Sequence, residues 1–266
     1  MGVTNLVDAQ HVDSLDTLSK ISAAVHLGTF DSSSDEWHAL RATGIGGSEV
    51  GTICGLNRWE SPFTLWAKKL GKIESRIEQS EAMEWGNRLE PVILEKFADS
   101  HPELSVFTGV GTWSNVERPW QVANPDALYE TLDGRLGVVE VKTAQYEDDW
   151  ADGVPRHYET QVQWYLQTFN LSHAYVVALF HGNRYREFEV SASSLAQDAA
   201  MEQVERFRDH VLHEIEPDFD GALSTYSTVR ALHPDIKSDS EVELGYLGEQ
   251  YFSKAESLKK AEEDLT

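Results

Sequence analysis

The segment Gly137-Val138-Val139-Glu140-Val141-Lys142-Thr143 limits what this chain can become more than any other stretch. Its β-branched residues, bounded by glycine and a polar turn, predict a short buried strand. Residues two apart on a strand point to one face, so Glu140 and Lys142 share a side of an otherwise apolar element. Charges held there need partners. Asp126, in Asn124-Pro125-Asp126-Ala127 fourteen positions before Glu140, is the first candidate to stand near them.

The rest of the chain sets the setting for that strand. At 266 residues and 41% hydrophobic content it can bury a full core, as one large domain or one domain with appendages. No run reaches the roughly eighteen apolar residues of a membrane span. The N-terminus has no basic segment followed by an apolar one, so secretion is not expected. Met1-Gly2 is followed by Leu6 at the position where myristoylation needs Ser or Thr. The single cysteine, Cys54, excludes a disulfide framework, a cysteine zinc site and a four-cysteine iron–sulfur cluster. In its apolar setting Cys54 reads as a small core residue. A soluble intracellular protein is expected.

The net charge of −23 runs against a nucleic-acid partner, which calls for a basic footprint. Part of the excess lies at the ends: residues 1–36 carry six acids against one lysine, and residues 239–266 eight acids against three lysines. Within the middle, residues 41–72 are locally basic, with Arg41, Arg58, Lys68, Lys69 and Lys72 against Glu49 and Glu60. Contact with a polyanion should therefore be local, with metal ions adding positive charge at the acidic centre.

Taken in order, residues 1–34 are weakly periodic and read as an N-terminal extension with at most one short helix. Asp35-Glu36 opens a helical turn through Arg41. Thr43-Gly44-Ile45-Gly46-Gly47-Ser48-Glu49-Val50 reads as a tight turn into another helix. It lacks the third glycine of a dinucleotide fingerprint and the lysine of a P-loop. It serves either as a plain N-cap or as a set of backbone N–H groups offered to an anion beside Ser48. Ser61-Pro62 starts a helix ended by Gly71, and Met83 to Ala98 forms a helix with an apolar stripe and Glu90 in its middle. On pattern alone Glu90 is a solvated face residue.

Short strands follow at Val106–Trp113, Trp120–Ala123, Ala127–Tyr129 and Leu136–Val141, with a hairpin signal at Asp133-Gly134. A helix from Tyr158 to Thr168 places Gln161 and Tyr165 on one face. Strands Ala174–Phe180 and Tyr185–Val190 and a helix from Ser194 to His213 complete a domain over residues 35–216. Residues 217–266 read as a linker and a charged amphipathic helix.

An acid ahead of a strand carrying a carboxylate and a lysine suits metal-assisted phosphodiester hydrolysis. Carboxylates hold Mg²⁺, the ion supplies a nucleophilic water and stabilises charge, and lysine orients or deprotonates the water or meets the pentavalent phosphate. Asp126, Glu140 and the carbonyl of Val141 are the candidate metal ligands, with Glu90 approaching from the neighbouring helix. The plainer reading of Glu140 and Lys142 is an ordinary ion pair.

These motifs together resemble the PD-(D/E)XK nuclease superfamily, specifically the phage lambda-exonuclease type, or YqaJ-like viral recombinases. The resemblance spans about residues 35–215 in order. It runs through Trp37-His38-Ala39-Leu40-Arg41 with Ile45-Gly46-Gly47-Ser48-Glu49-Val50, then Trp85-Gly86-Asn87-Arg88-Leu89-Glu90. It continues through Asn124-Pro125-Asp126-Ala127-Leu128, where Ala127 replaces the usual glycine, the strand 137–143, and Gln161-Val162-Gln163-Trp164-Tyr165.

The resemblance implies an α/β fold of α+β type, a restriction-endonuclease-like core with a central mixed β-sheet flanked by helices. It implies Asp126, Glu140 and Lys142 as catalytic residues, Glu90 near the metals and Gln161 near the site. Arg41 and Ser48 would hold the 5′-phosphate, with Tyr165 beside the DNA. The cofactor would be one or two Mg²⁺ ions, with Mn²⁺ able to substitute. The activity implied is 5′→3′ digestion of one strand of linear double-stranded DNA from its ends, releasing 5′-phosphomonoesters. The 3′ overhang would pass to a single-strand annealing protein for recombination, in the cytoplasm of a bacterial or phage-infected cell. Some members form a homotrimer ring. The alternatives are an endonuclease or a nuclease of other polarity on the same fold, a DNA-binding recombination module without catalysis, and a metal enzyme acting on a small phosphate ester.

Overall fold

The computed structural model describes residues 6–8, 18–30, 34–74 and 80–235, together with the helical positions 246, 250, 253 and 254. The main unit extends to Thr228 and a second begins at Val229. The elements of the chain run β1 (Leu6–Asp8), β2 (Ala24–Gly28), α1 (Asp35–Thr43), β3 (Ile45–Gly46), α2 (Gly47–Ile53), α3 (Pro62–Lys69) and α4 (Glu81–Ser100). There follow β4 (Ser105–Thr108), β5 (Thr112–Asn115), β6 (Gln121–Ala123), β7 (Ala127–Glu130) and β8 (Leu136–Ala144). The last are α5 (Arg156–Phe169), β9 (His173–Phe180), β10 (Arg184–Ser191), α6 (Ser194–Leu212) and α7 (Leu223–Leu232).

Serines set the starts of four helices. Ser34, Ser61, Ser80 and Ser193 each accept a backbone N–H from the first turn of α1, α3, α4 and α6. Asn170, in the left-handed region at φ 54°, ends α5.

The strands form two mixed sheets flanked by helices, in the orders β1-β4-β7-β8-β9-β10 and β2-β5-β6-β3. β8 is central to the first, antiparallel to β7 and parallel to β9. Because parallel neighbours need a crossover, the chain between β8 and β9 must form α5, which delivers the glutamine motif to the sheet. Period two then divides β8. Val139 and Val141 pack with Ile93, Leu94 and Phe97 of α4, while Glu140 faces Gln161 of α5. Further along, α5 ties to the smaller sheet, where Trp164 Nε1 donates to the Val122 carbonyl at 3.0 Å and Asn115 Nδ2 to that of Thr168 at 3.0 Å.

Three expectations change. The strand expected over Val106–Trp113 is two strands, β4 and β5, in different sheets. Gly109 and Gly111 take positive φ (63° and 70°), turning the chain where residues with a Cβ would be strained. The segment 1–34 is more than an extension, since β1 pairs with β4 and β2 with β5, and Leu18, Ile21 and Ala24 are buried. Their signal is weak because edge strands this short gain order from the neighbour they pair with. Residues 217–228 also join the main unit. Thr225 Oγ1 donates to Ser61 Oγ at 2.6 Å, the Thr64 and Thr228 hydroxyls are 2.9 Å apart, and Phe219 meets the Phe63 ring at 5.1 Å. The charged helix expected toward residue 266 falls almost wholly outside the described residues.

Candidate active site

Glu140 is 2% exposed, and its carboxylate is divided between two environments. Oε1 accepts from Lys142 Nζ at 2.6 Å and from Gln161 Nε2 at 2.6 Å. Oε2 is buried with no hydrogen-bond partner among the described residues. A charged oxygen buried without a donor is costly and calls for a water or a cation.

The other groups converge from separate elements. Asp126, in the turn before β7, accepts the Val141 N–H through Oδ2 at 2.7 Å, which pins it against β8 beside Glu140. Lys142 Nζ also donates to Gln161 Oε1 at 3.2 Å and lies 4.7 Å from the centroid of the Tyr158 ring. Gln161 Nε2 donates further to Tyr165 Oη at 2.9 Å, and that hydroxyl donates to the Asn124 carbonyl at 3.2 Å. Thus the strand pair, the glutamine motif and the turn carrying Asp126 form one hydrogen-bonded network.

The electrostatics follow from crowding acids in a dry place. Burial, then the charges of Glu140 and Glu90, push the Asp126 carboxyl well above the usual carboxylate range. Burial and Glu140 raise Glu90 as well, so it is no solvated helix residue. Burial works to lower Lys142, but Glu140 and Asp126 overcome it and hold the ammonium above its ordinary value. Acids that resist ionising together, around an oxygen lacking a donor, suit a divalent cation, whose charge would remove the conflict.

The donor set fits magnesium. Mg²⁺ is held by one or two carboxylates while keeping several waters, and Asp126 and Glu140 could supply them, with the carbonyl of Val141 as the further candidate oxygen. Among the described residues no three His, Cys, Asp or Glu side chains are gathered closely enough to hold a metal by themselves. Glu90 is linked to the other two acids through charge, raised by Glu140 and in turn raising Asp126.

A second cluster adjoins the first. Arg41, at the end of α1, pairs with Glu49 at 2.9 Å, and two of its nitrogens lie 3.4 Å from Ser48 Oγ, a long contact. Trp37 stacks under its guanidinium at 4.9 Å. A pocket lined by Trp37, Arg41, Gly47, Ser48, Asn124 and Tyr165 lies at this cluster, and Tyr165, bonded to Gln161, links its wall to the Glu140 network. Gly47 is required there, because a Cβ would lie 2.5 Å from Tyr165 Cε1. Asp126, Glu140, Lys142, Gln161 and Tyr165 are thus brought into one hydrogen-bonded network and Arg41 and Ser48 into a second cluster, while Glu90 is tied to the first through charge alone.

Sequence reasoning missed Glu49 and Lys69 as members of the site. Lys69 Nζ lies 2.9 Å from both oxygens of Glu49, donates to the Gly44 carbonyl at 2.7 Å, and also reaches the Arg41 carbonyl. Glu49 carries a legible signal, since it stands three residues after the helix cap and accepts the Gly46 N–H at 2.8 Å. Lys69 carries none, because only the tertiary fold brings α3 to this turn.

The family model for the YqaJ-like viral recombinase domain matches residues 36–172. The chain is 28% identical over 218 residues to the uncharacterized protein YqaJ of Bacillus subtilis, a match covering 80% of this chain and 67% of that protein. It is 27% identical over 153 residues to a protein of African swine fever virus, covering 49% of this chain and 44% of the viral one. The solved structure of an alkaline exonuclease from Laribacter hongkongensis superposes with a TM-score of 0.57 at 19% identity, over 69% of this chain and 95% of that one. At that identity the likeness speaks to the fold, which is restriction-endonuclease-like.

Proposed function

The chain belongs to the YqaJ-like viral recombinase family, and from that premise we propose that it is a magnesium-dependent DNA exonuclease that digests one strand of linear duplex 5′→3′. The observation that carries the reading is the split carboxylate of Glu140, with one oxygen fixed by Lys142 and Gln161 and the other buried without a donor among the described residues, while the neighbouring Val141 N–H holds Asp126. The Laribacter structure, described as an alkaline exonuclease and also solved with dAMP, points the same way.

Asp126, Glu140 and the Val141 carbonyl would hold the ion or ions, with Glu90 supporting them through its charge. Bound Mg²⁺ would supply an activated water and stabilise charge on the phosphoryl oxygens and the leaving group. Lys142, kept protonated by its acidic neighbours, orients that water and donates toward the phosphoryl oxygen rather than acting first as a base. Gln161 fixes both Glu140 and Lys142, so neither needs to reorganise during reaction. Arg41 and Ser48 receive the terminal 5′-phosphate in the pocket beside Tyr165, which gives the enzyme its polarity. The products are 5′-phosphomonoesters and a 3′ overhang for a single-strand annealing protein, with a homotrimer ring as the assembly that sustains digestion.

The test is end-labelled linear duplex bearing either 5′-phosphate or 5′-hydroxyl ends, incubated with and without Mg²⁺. Loss of label from the 5′ end, with preference for the phosphorylated end and dependence on the ion, is the expected result. Intact linear DNA in the presence of folded protein and Mg²⁺ would overturn the reading.

A further inference from the structure

A pocket meant for an anion ought not to place a carboxylate against its arginine. Glu49 lies 2.9 Å from Arg41 and would cancel its charge if the two stood alone. They do not. Lys69 also pairs with Glu49, 2.9 Å from both carboxylate oxygens, with its side chain 4% exposed. From this arrangement we infer that Lys69 is a positioning and specificity residue: it neutralises Glu49, so that Glu49 orients Arg41 without removing the positive charge a terminal phosphate meets. The inference rests on the reading of the Arg41 pocket given above.

Three features support it. The Lys69 ammonium has three acceptor groups, Glu49 and the carbonyls of Arg41 and Gly44, enough for the three protons of its charged form. Burial works to raise Glu49, yet Arg41 and Lys69 hold its carboxyl below the usual range, so it stays ionised between two cations. Burial pulls the Lys69 ammonium below its ordinary value, against the pull of Glu49, and it is the full set of three acceptors around Nζ that favours the charged form and so one net positive charge on the triad of Arg41, Glu49 and Lys69. Its position is also fixed mechanically, because Lys69 ties α3 to the last turn of α1 through the Arg41 carbonyl and to the following Gly44. Glu49 accepts the Gly46 N–H at 2.8 Å, so Arg41 is aimed by a carboxylate that cannot itself swing. Removing one member of such a buried set leaves a charge uncompensated.

The experiment compares the ratio of digestion rates on 5′-phosphate and 5′-hydroxyl linear duplex for wild type, Lys69→Met, Lys69→Arg and the pair Glu49→Gln/Lys69→Met, with thermal melts to establish folding. Lys69→Met should lower the ratio by about tenfold or more, the scale of a hydrogen bond to a charged group. The pair should recover most of that loss, because the neutral amide introduced by Glu49→Gln no longer cancels Arg41. Lys69→Arg should keep the ratio, and it carries the test should Lys69→Met fail to fold. An unchanged ratio in folded Lys69→Met, a pair no better than the single variant, or a collapsed ratio in folded Lys69→Arg would each overturn the inference. A wild-type ratio of unity would instead overturn the underlying reading of the pocket, and this inference with it.

Discussion

Gln161 Nε2 and Glu140 Oε1 are 2.6 Å apart, and that bond decides which carboxylate oxygen remains for anything else. Because Lys142 occupies the same oxygen, Oε2 alone is left, buried and without a donor among the described residues. A glutamine delivered by the crossover helix thus orients the Glu140 carboxylate on the strand beneath it.

Lys142→Ala removes the charge closest to Glu140 while leaving Arg41 and its pocket in place. Cleavage should fall by about 10²–10³-fold, the scale for loss of an electrostatic stabiliser in a preorganised site. Duplex binding should remain measurable. Near-normal turnover in this variant would remove Lys142 from the mechanism.

Asp126→Asn tests the crowding of acids. Asp126 has its folded-state pKa raised, so its ionisation disfavours the fold, a penalty that grows as pH rises above the unfolded value and levels off above the folded one. Without divalent ions the variant should therefore melt higher than wild type at neutral pH, with the advantage shrinking below about pH 4, near the ordinary Asp value. Mg²⁺ should raise the melting temperature of wild type and leave the variant nearly unmoved. A variant that melts lower at neutral pH, or gains equally from Mg²⁺, would contradict this.

The placement of the candidate residues is legible where it obeys local rules. Glu140 and Lys142 followed from strand period, Gln161 and Tyr165 from helix period, and Asp126 from its place before β7. The parts that escaped depend on distant pairing. Nothing local marks residues 24–28 as a strand of the smaller sheet, because their order comes from β5. Likewise Lys69 reads as one more lysine on a helix until the fold sets it against Glu49. Gly137 shows the middle case. It reads as a strand boundary, but its reason is the Tyr129 ring on the adjacent strand, 2.2 Å from where a Cβ would stand.

Gly47→Ala puts a methyl 2.5 Å from the Tyr165 ring, which must move. Because Tyr165 Oη bridges Gln161 and Asn124, the shift should reach Glu140 as well as the pocket. Overpacking of this kind costs about 1–3 kcal/mol. Melting should fall accordingly and cleavage should fall more steeply than stability alone accounts for. Wild-type activity in a variant of wild-type melting temperature would show that the close approach is not needed.

Arg41→Ala should act on recognition of the end. The guanidinium is aimed by Glu49 and backed by Trp37, and its loss removes the positive charge beside Ser48 in the pocket. The rate ratio between 5′-phosphate and 5′-hydroxyl ends should drop by about tenfold or more. A ratio equal to wild type would place end recognition elsewhere.

The acidity of the chain makes a last demand. With a net charge of −23, the protein meets a polyanion with Coulombic repulsion outside the basic stretch 41–72. Cations at the paired carboxylates would turn the most repulsive point of the approach into an attractive one. Duplex affinity should therefore weaken by about tenfold or more when EDTA replaces Mg²⁺ at constant ionic strength, with salt held fixed because phosphate contacts are themselves salt-dependent. Ca²⁺, also an oxygen-seeking cation but of larger and looser coordination, should restore binding with little turnover. Equal affinity in EDTA and Mg²⁺ would mean that the duplex is held without the acidic centre taking part.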